Sequence, residues 1–539
     1  MLKKILLEKY KIVLPLLVVL LLLPTLVFPV FVDATIFIMM GDVILNGKTL
    51  YYDFIDIKPP LFYYIYALQN LIFGNTELSL RIALIVWQLA TAFALYKFTK
   101  IITNHIPTIY ITLISYIIFF VSLGFDNSIT PEAYSLLPLL LISIVLSKEH
   151  ISNINLIIAG ILLSFLFGIK YTFGIYSIAF VIALYYKNQA KVNTDFIKKT
   201  GLTILGFIIF LPISFFAFFD KESLFFYVIS LQYLKEYSSL PLMNTHLVID
   251  GLIHTVNAII KKTSILFFLL FLVPIWSLIK SKYKLKNTES NLKIELIEKH
   301  KSVIIFAIFV FIFGIISIII ERKLSLFHYV RLAMPMIILM PLGIKIIYDY
   351  LSEKEYFSTK KFIIITLFLL AFITLSPFPR YVKQLVITYG YFFDEPLYYS
   401  FYQGTEKYHS NKYLTYQKVS NYLLNLTKNE KLPSIIVSGI GANVINYNLN
   451  QKNKNIKLSK FSHSCFYSSK YEVEMYNTLF EEELQNADIL VVSDSDLCYQ
   501  ISFHYSTTYY ILKDRFAKDF SKFTQIKKIG EFRILRKIK

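Results

Sequence analysis

Apolar residues in this chain run for about twenty positions at a stretch, the length an α-helix needs to cross a bilayer. About eleven such stretches are predicted as spanning helices, near 12–32, 80–97, 106–123, 131–147, 154–170, 172–186, 201–219, 264–280, 302–320, 328–348 and 362–378. Gly168, Lys170 and Gly174 interrupt the pair near 154–186, which reads as two spans or as one kinked span. The opening stretch follows Lys3, Lys4, Lys9 and Lys11, as a signal peptide would. It is too long for an h-region and no small-x-small site follows Val32, so it is read as a retained helix. Beyond residue 380 the apolar runs shorten. Pro433 to Ser438 and Ala487 to Ser493 read as short buried strands, Tyr413 to Leu426 has helical spacing, and Phe532 to Leu535 fits a last strand. The expected organisation is a polytopic α-helical transmembrane domain over 1–379 and a small α/β domain over 380–539.

Composition agrees with a membrane protein. Of 539 residues, 56% are hydrophobic and 17% charged, against roughly 25% charged in soluble domains. That excludes a soluble globular enzyme, a disordered chain and a coiled coil. The net charge of +19 is read as topology signal and lipid contact, not nucleic-acid binding. With the N-terminus in the cytoplasm, Lys97, Lys100, Lys148, 187–199, 280–301 and 354–361 all fall inside. The loops 33–79 and 121–131 are then external, poor in basic residues, and carry Asp33, Asp42, Asp53, Asp56 and Asp126. An odd number of spans puts 380–539 outside, where Cys465 and Cys498 can either pair or stay as two free thiols. The segment 220–262 is a second external loop whose Phe225, Phe226, Tyr227, Leu231, Tyr233 and Leu234 suit a helix at the membrane interface.

Soluble catalytic signatures are missing: there is no Walker A, HExxH, GxSxG or CxxC. The pair Gly439 and Gly441 reads as a turn. The nine histidines show no ligand spacing, so no obligatory metal is expected. The informative stretch is 33–62, DATIFIMMGDVILNGKTLYYDFIDIKPPLF. It gathers Asp33, Asp42, Asp53, Asp56 and Lys58 beside Pro59, Pro60 and several tyrosines at the end of the first span. Ionisable groups at a membrane edge are costly and often functional; the alternative is a hydrated loop with carboxylates facing water.

The run Gly47-x-x-x-Tyr51-x-Asp53-x-x-Asp56-x-Lys58-Pro59-Pro60-Leu61 resembles the first external loop of the dolichyl-phosphate-mannose–protein mannosyltransferase-like superfamily, which has the C-type glycosyltransferase fold and includes bacterial aminoarabinose transferases. Asp33 sits where that group has an acidic residue after the first span. Gly74 to Arg81, Thr130-Pro131-Glu132 and His328-Tyr329-Val330-Arg331 before Pro335 resemble later segments. The likeness covers roughly the first 350 residues. Many members have Asp-Glu after the first span, where this chain has Asp33-Ala34.

The resemblance implies an integral-membrane glycosyltransferase. It would move a sugar from a polyprenyl-phosphate donor to an extracytoplasmic acceptor, by inverting displacement, in a bacterial inner membrane. The acceptor could be lipid A, a polysaccharide, a cell-wall polymer or a protein. Asp33 is then the base or acceptor-orienting carboxylate, and Lys58 and Arg331 hold the donor phosphate. Tyr51, Asp53, Asp56 and Glu132 bind the sugar or support those groups. Bland rivals stand beside these roles: Lys58 as a snorkelling anchor, Asp53 as a loop-fixing group, Arg331 paired with Glu321 or a lipid head group, and Arg81 as an anchor; Lys170 either binds the carrier phosphate or marks a helix end. A transporter or flippase and a non-catalytic scaffold are the competing functions; no internal duplication of the transporter kind is seen.

Overall fold

A computed structural model describes residues 10–29, 32–125, 128–217, 219–239, 253–257, 259, 264–283, 291–321, 326–353, 376–403, 413–438, 442–459, 474–494, 513 and 516–538. The chain divides into two compact units. The first comprises Met1–Phe28, Arg81–Phe215 and Met243–Thr388; the second comprises Pro29–Leu80, Phe216–Leu242 and Tyr389–Lys539.

Among its described residues, the first unit is built from helices. Among the described residues, Glu77–Thr103, Thr194–Phe216, Lys301–Glu321 and His328–Ser352 are long and apolar enough to cross a membrane. Shorter apolar helices lie at Ile12–Val27, Ile106–Ser122, Pro131–Ser147, Asn153–Ile169 and Ile265–Ser281. The chain is a multi-pass membrane protein. Most of the predicted span at 362–378 lies outside the described residues. The Asn153–Ile169 helix starts on Ser152, whose hydroxyl accepts the Asn155 N–H, a standard N-cap. It stops at Lys170, and a 3-10 turn, Tyr171–Ile175, leads into Tyr176–Lys187. The interruption read from the sequence is therefore a real break between two helices.

Packing between helices relies on missing side chains. A Cβ on Gly160 would lie 2.0 Å from the Thr203 carbonyl oxygen, and one on Gly206 2.1 Å from the Ile157 oxygen. Asn153–Ile169 and Thr194–Phe216 therefore meet backbone to backbone, as small residues allow in lipid, where burial of apolar surface supplies no drive. On the other side of Thr194–Phe216, Ile204, Ile208, Ile209 and Ile213 are each more than half exposed. Such a stripe belongs against acyl chains.

The second unit contains the 33–79 segment, which is not an open loop. It holds two helices, Val32–Leu45 and Pro60–Phe73, because the residues between its aspartates are apolar: Ile36, Phe37, Ile38 and Met40 are all buried. Phe37 packs edge-on to Phe62 at 4.7 Å. Gly41 lets the helices touch, since a Cβ there would lie 2.8 Å from Ala67 N. The Lys221–Ser239 helix belongs to this unit too.

The tail forms a five-stranded sheet from β1 (Ser434–Ser438), β2 (Lys457–Leu458), β3 (Ile489–Ser493), β4 (Phe523–Ile529) and β5 (Phe532–Lys537), in the order β2-β1-β3-β5-β4. β1 is parallel to β2 and β3, with Ile436 opposite Leu490. β5 is antiparallel to β3 and β4, and the β4–β5 turn passes through Gly530 at φ 56°. Alternation along each strand builds two cores. On one face Ile435, Val437, Ile489, Val491 and Ile534 pack with Val419 and Leu423 of the Tyr413–Leu426 helix and Ile445 of Ala442–Lys452. On the other, Ile436, Leu490, Val492 and Leu535 pack with Phe480 and Leu484 of Glu474–Asn486, and with Ile55 and Ile229 from far earlier in the chain. Strands β1, β3 and β5 and the Tyr413–Leu426 helix lie where the apolar pattern predicts them. Gly439, Gly441, Cys465, Cys498 and Asp126 lie outside the described residues.

Candidate active site

The turn between Val32–Leu45 and Pro60–Phe73 is built around three tyrosines and three charges. Asp53 Oδ2 accepts the Thr49 N–H at 2.8 Å, closing the turn on itself. Tyr51 has φ 65°, a left-handed conformation costly for an aromatic residue. Its buried ring is held against Tyr63 and Tyr227, and its hydroxyl donates to the Lys58 carbonyl at 2.8 Å. Tyr63 Oη donates to Asp56 Oδ2 at 2.6 Å and accepts the Lys58 N–H at 3.0 Å. Lys58 Nζ lies 3.4 Å from Asp56 Oδ2 and 4.8 Å above the Phe37 ring, a cation–π contact. The Asp56 side chain is 2% exposed and that of Lys58 is 25% exposed. Pro59 is extended and Pro60 opens the next helix, so the two prolines fix the exit of the turn.

Asp33 is half-buried in the first turn of Val32–Leu45, where a helix N-terminus favours an anion. Phe37 follows it by one helical turn on the same face. Phe37 in turn lies beneath the Lys58 ammonium. Further along, Asp42 takes Asn70 Nδ2 at 3.0 Å and Asn75 Nδ2 at 2.7 Å. Burial pushes its pKa above the usual carboxylate value; the Asn75 and Asn70 hydrogen bonds and the charges of Lys454 and Lys48 only partly oppose this.

In the other unit, Glu132 and Arg331 meet in a denser cluster. Glu132 sits in the first turn of Pro131–Ser147, behind Thr130 and Pro131. Lys170 caps the end of Asn153–Ile169, Glu321 ends Lys301–Glu321, and His328 and Arg331 lie in the 3-10 turn Leu326–Leu332. Lys170 Nζ lies 2.6 Å from Glu132 Oε1 and 3.2 Å from Glu321 Oε2. Arg331 NH2 reaches Glu132 Oε1 at 2.8 Å and NH1 reaches Glu321 Oε1 at 2.9 Å, while NH1 also donates to Ser317 Oγ at 2.6 Å. His328 Nδ1 faces Lys170 Nζ at 3.1 Å and Arg331 NH2 at 3.3 Å, and Thr172 donates to Glu321. Phe173 lies under both cations, 5.8 Å from Lys170 Nζ and 5.2 Å from Arg331 Cζ. The Arg331 and Glu132 side chains are 0% and 1% exposed. Two carboxylates balance two cations, which is how buried charge is tolerated.

No curated protein sequence matches the chain. Residues 57–216 match the profile of the family described as Dolichyl-phosphate-mannose-protein mannosyltransferase; that match begins one residue before Lys58. Among solved structures, the chain is similar to ArnT from Cupriavidus metallidurans bound to undecaprenyl phosphate, at 10% identity and a TM-score of 0.50, over 98% of each chain. The chain has a C-type glycosyltransferase fold. The family resemblance drawn from the Lys58-Pro59-Pro60 loop is thus supported by sequence over 57–216, and the expected fold by a structural match over nearly the whole length.

Within this glycosyltransferase fold, the residues singled out from sequence fall into two groups. Asp33, Tyr51, Asp53, Asp56 and Lys58 lie in one unit; Glu132 and Arg331 lie in the other. Sequence reasoning left out Tyr63, the hydroxyl that binds both Asp56 and the Lys58 backbone, because tyrosine is abundant here and its partner depends on the turn. It offered Glu321 as a partner of Arg331, as the 2.9 Å contact shows, but did not join Lys170 and His328 to that pair. Their signal was a polar residue at the edge of an apolar run. Arg81 donates to the Leu26 carbonyl at 2.8 Å and so anchors its helix. Among the described residues, no group of three or more His, Cys, Asp or Glu side chains is arranged to hold a metal ion; Lys170 and Arg331 fill the space between Glu132, Glu321 and His328.

Proposed function

We propose that the protein transfers a sugar from a polyprenyl-phosphate donor to an acceptor on the extracytoplasmic side of a bacterial inner membrane. The observation that carries this reading is the Asp56–Lys58 turn. An ammonium one-quarter exposed is held between a buried carboxylate and an aromatic ring, at the residues where the family match begins. Support also comes from the ArnT structure, which holds undecaprenyl phosphate.

The chemistry needs few parts. Asp33 accepts the proton of the acceptor hydroxyl as its oxygen bonds to the anomeric carbon. The bond from that carbon to the phosphate oxygen breaks on the opposite face, which inverts the centre. The leaving phosphate has a second pKa of about 6, so it requires fixed positive charge more than an acid. Lys58 supplies that charge. Arg331, assigned to the phosphate from sequence, has its NH groups bound to Glu132 and Glu321 and is read here as holding its own cluster together, as is the less buried Lys170. Asp56 and Tyr63 hold Lys58, Tyr51 and Asp53 hold the turn, and Glu132 holds Arg331. The tail over 380–539 is read as extracytoplasmic, with the N-terminus inside.

The test is carrier turnover in membranes that contain the wild type, Asp33→Asn or Lys58→Ala. A panel of synthetic undecaprenyl-phosphate sugars is supplied with a crude envelope extract, and release of undecaprenyl phosphate is followed by mass spectrometry. Release that needs both residues is the expected result. Release indifferent to both variants overturns the site assignment. Absence of release from every donor, together with flux of the donor across vesicle membranes, would replace the transferase by a flippase.

A further inference from the structure

We infer that Ile55 and Ile57 are positioning residues, through which the tail sheet presses the Asp56–Lys58 turn into its working shape. Alternate residues of an extended segment face opposite ways. Here Ile55, fully buried, and Ile57, half-buried, pack into the tail core formed by Phe480, Leu484, Leu490 and Val492. Asp56 and Lys58, between and after them, carry the contacts to Tyr63 and Phe37. The same four residues are thus a plug on one side and a charged pair on the other.

The Lys221–Ser239 helix closes the arrangement. Its Ile229 and Phe226 join the same core, Phe226 stacks at 4.5 Å on Tyr52, and Ser223 Oγ accepts the Leu50 N–H at 3.1 Å. The turn needs such support. Tyr51 holds a left-handed conformation, and a strained residue persists only where its surroundings over-determine it. The tail sheet thereby acts as the mould of the turn. This role rests on the proposed reaction for its consequence in turnover, but not for its consequence in structure.

The experiment compares Ile55→Ala and Ile57→Ala with Ile55→Val, a conservative rescue, and with Val419→Ala, which damages the opposite face of the same sheet. Two quantities are read on the full chain in lipid nanodiscs: hydrogen exchange of amides 49–58, and donor turnover resolved into kcat and KM. Ile55→Ala and Ile57→Ala should each raise exchange over 49–58 by about tenfold or more, without change in the membrane helices. They should lower kcat by about ten- to a hundredfold, more than they alter KM, because small misplacements of reacting groups are costly. Ile55→Val should restore most of both, and Val419→Ala should leave exchange at 49–58 as in the wild type. Unchanged exchange in both alanine variants overturns the inference, as does an equal rise in Val419→Ala. If exchange behaves as expected while the wild type releases undecaprenyl phosphate from no donor, the transferase reading fails and the moulding of the turn stands.

Discussion

Carboxylates in the two units keep different company. Glu132 and Glu321 lie against Lys170 and Arg331 in a cluster whose charges cancel. Asp42, Asp53 and Asp56 are met mainly by neutral donors: two asparagine amides, a backbone N–H and a tyrosine hydroxyl. Lys58, the cation beside Asp56, stands off at 3.4 Å and is the more exposed partner. A saturated cluster has its electrostatics committed to holding helices together. Around Asp56 the carboxylates outnumber the cation, so on the proposed reading it is the partly exposed Lys58 ammonium itself, and not the net field of the group, that meets the charge developing on the phosphate. If the proposed reaction holds, this contrast divides scaffold from chemistry better than the mere presence of charged residues does.

Removing one charge from each cluster is the sharpest way to break that contrast. Arg331→Met should cost about 3–5 kcal/mol of stability, since two buried carboxylates lose a partner; thermal unfolding in detergent and the yield of folded protein would show it. Lys58→Met should behave in the opposite manner. Turnover should fall by about 10²–10³ while the melting temperature moves little, and an Arg331→Met variant as stable as Lys58→Met would end the distinction. Tyr63→Phe comes next. Losing a hydroxyl shared between Asp56 and the Lys58 amide should cost about 1–3 kcal/mol, read from the same melts, with reduced turnover.

The smallest effect is a dependence on pH. Asp42 has a raised pKa in the fold, caused first by burial, so the native state binds a proton more readily than the unfolded chain. Its contribution makes stability rise as pH falls through that raised value, and level off below the ordinary carboxylate range. Asp42→Asn should flatten this part of the stability–pH curve; a curve identical to the wild type would remove Asp42 from the account.

Much of this architecture was legible from the apolar runs, because in lipid each span must satisfy its own backbone and so declares itself by length. The turn was legible as a motif. Its structure was not. Reading 33–79 as a loop weighed the five charges and prolines over the apolar residues between them, yet Ile36 to Met40 bury themselves in a helix. Strand β2 has two residues, too few for any period. Strand β4 exposes most of its length, with Lys527 and Lys528 on an edge, and charged edges are protective but erase the alternation that marks a strand. The Glu132 to Arg331 cluster joins four segments up to about 200 positions apart, and no spacing rule reaches that far.

The packing of Ile55 against Phe480 and Leu490 also bears on how the protein is made. The charged motif leaves the ribosome long before Phe480, Leu484, Leu490 and Val492, which pack behind it, are made. A chain cut short before residue 480 would carry every charge of the Asp53–Lys58 segment but lack Phe480, Leu484, Leu490 and Val492 from the wall behind it. On the proposed reading competence waits for those residues, and a product truncated before them should turn donor over poorly.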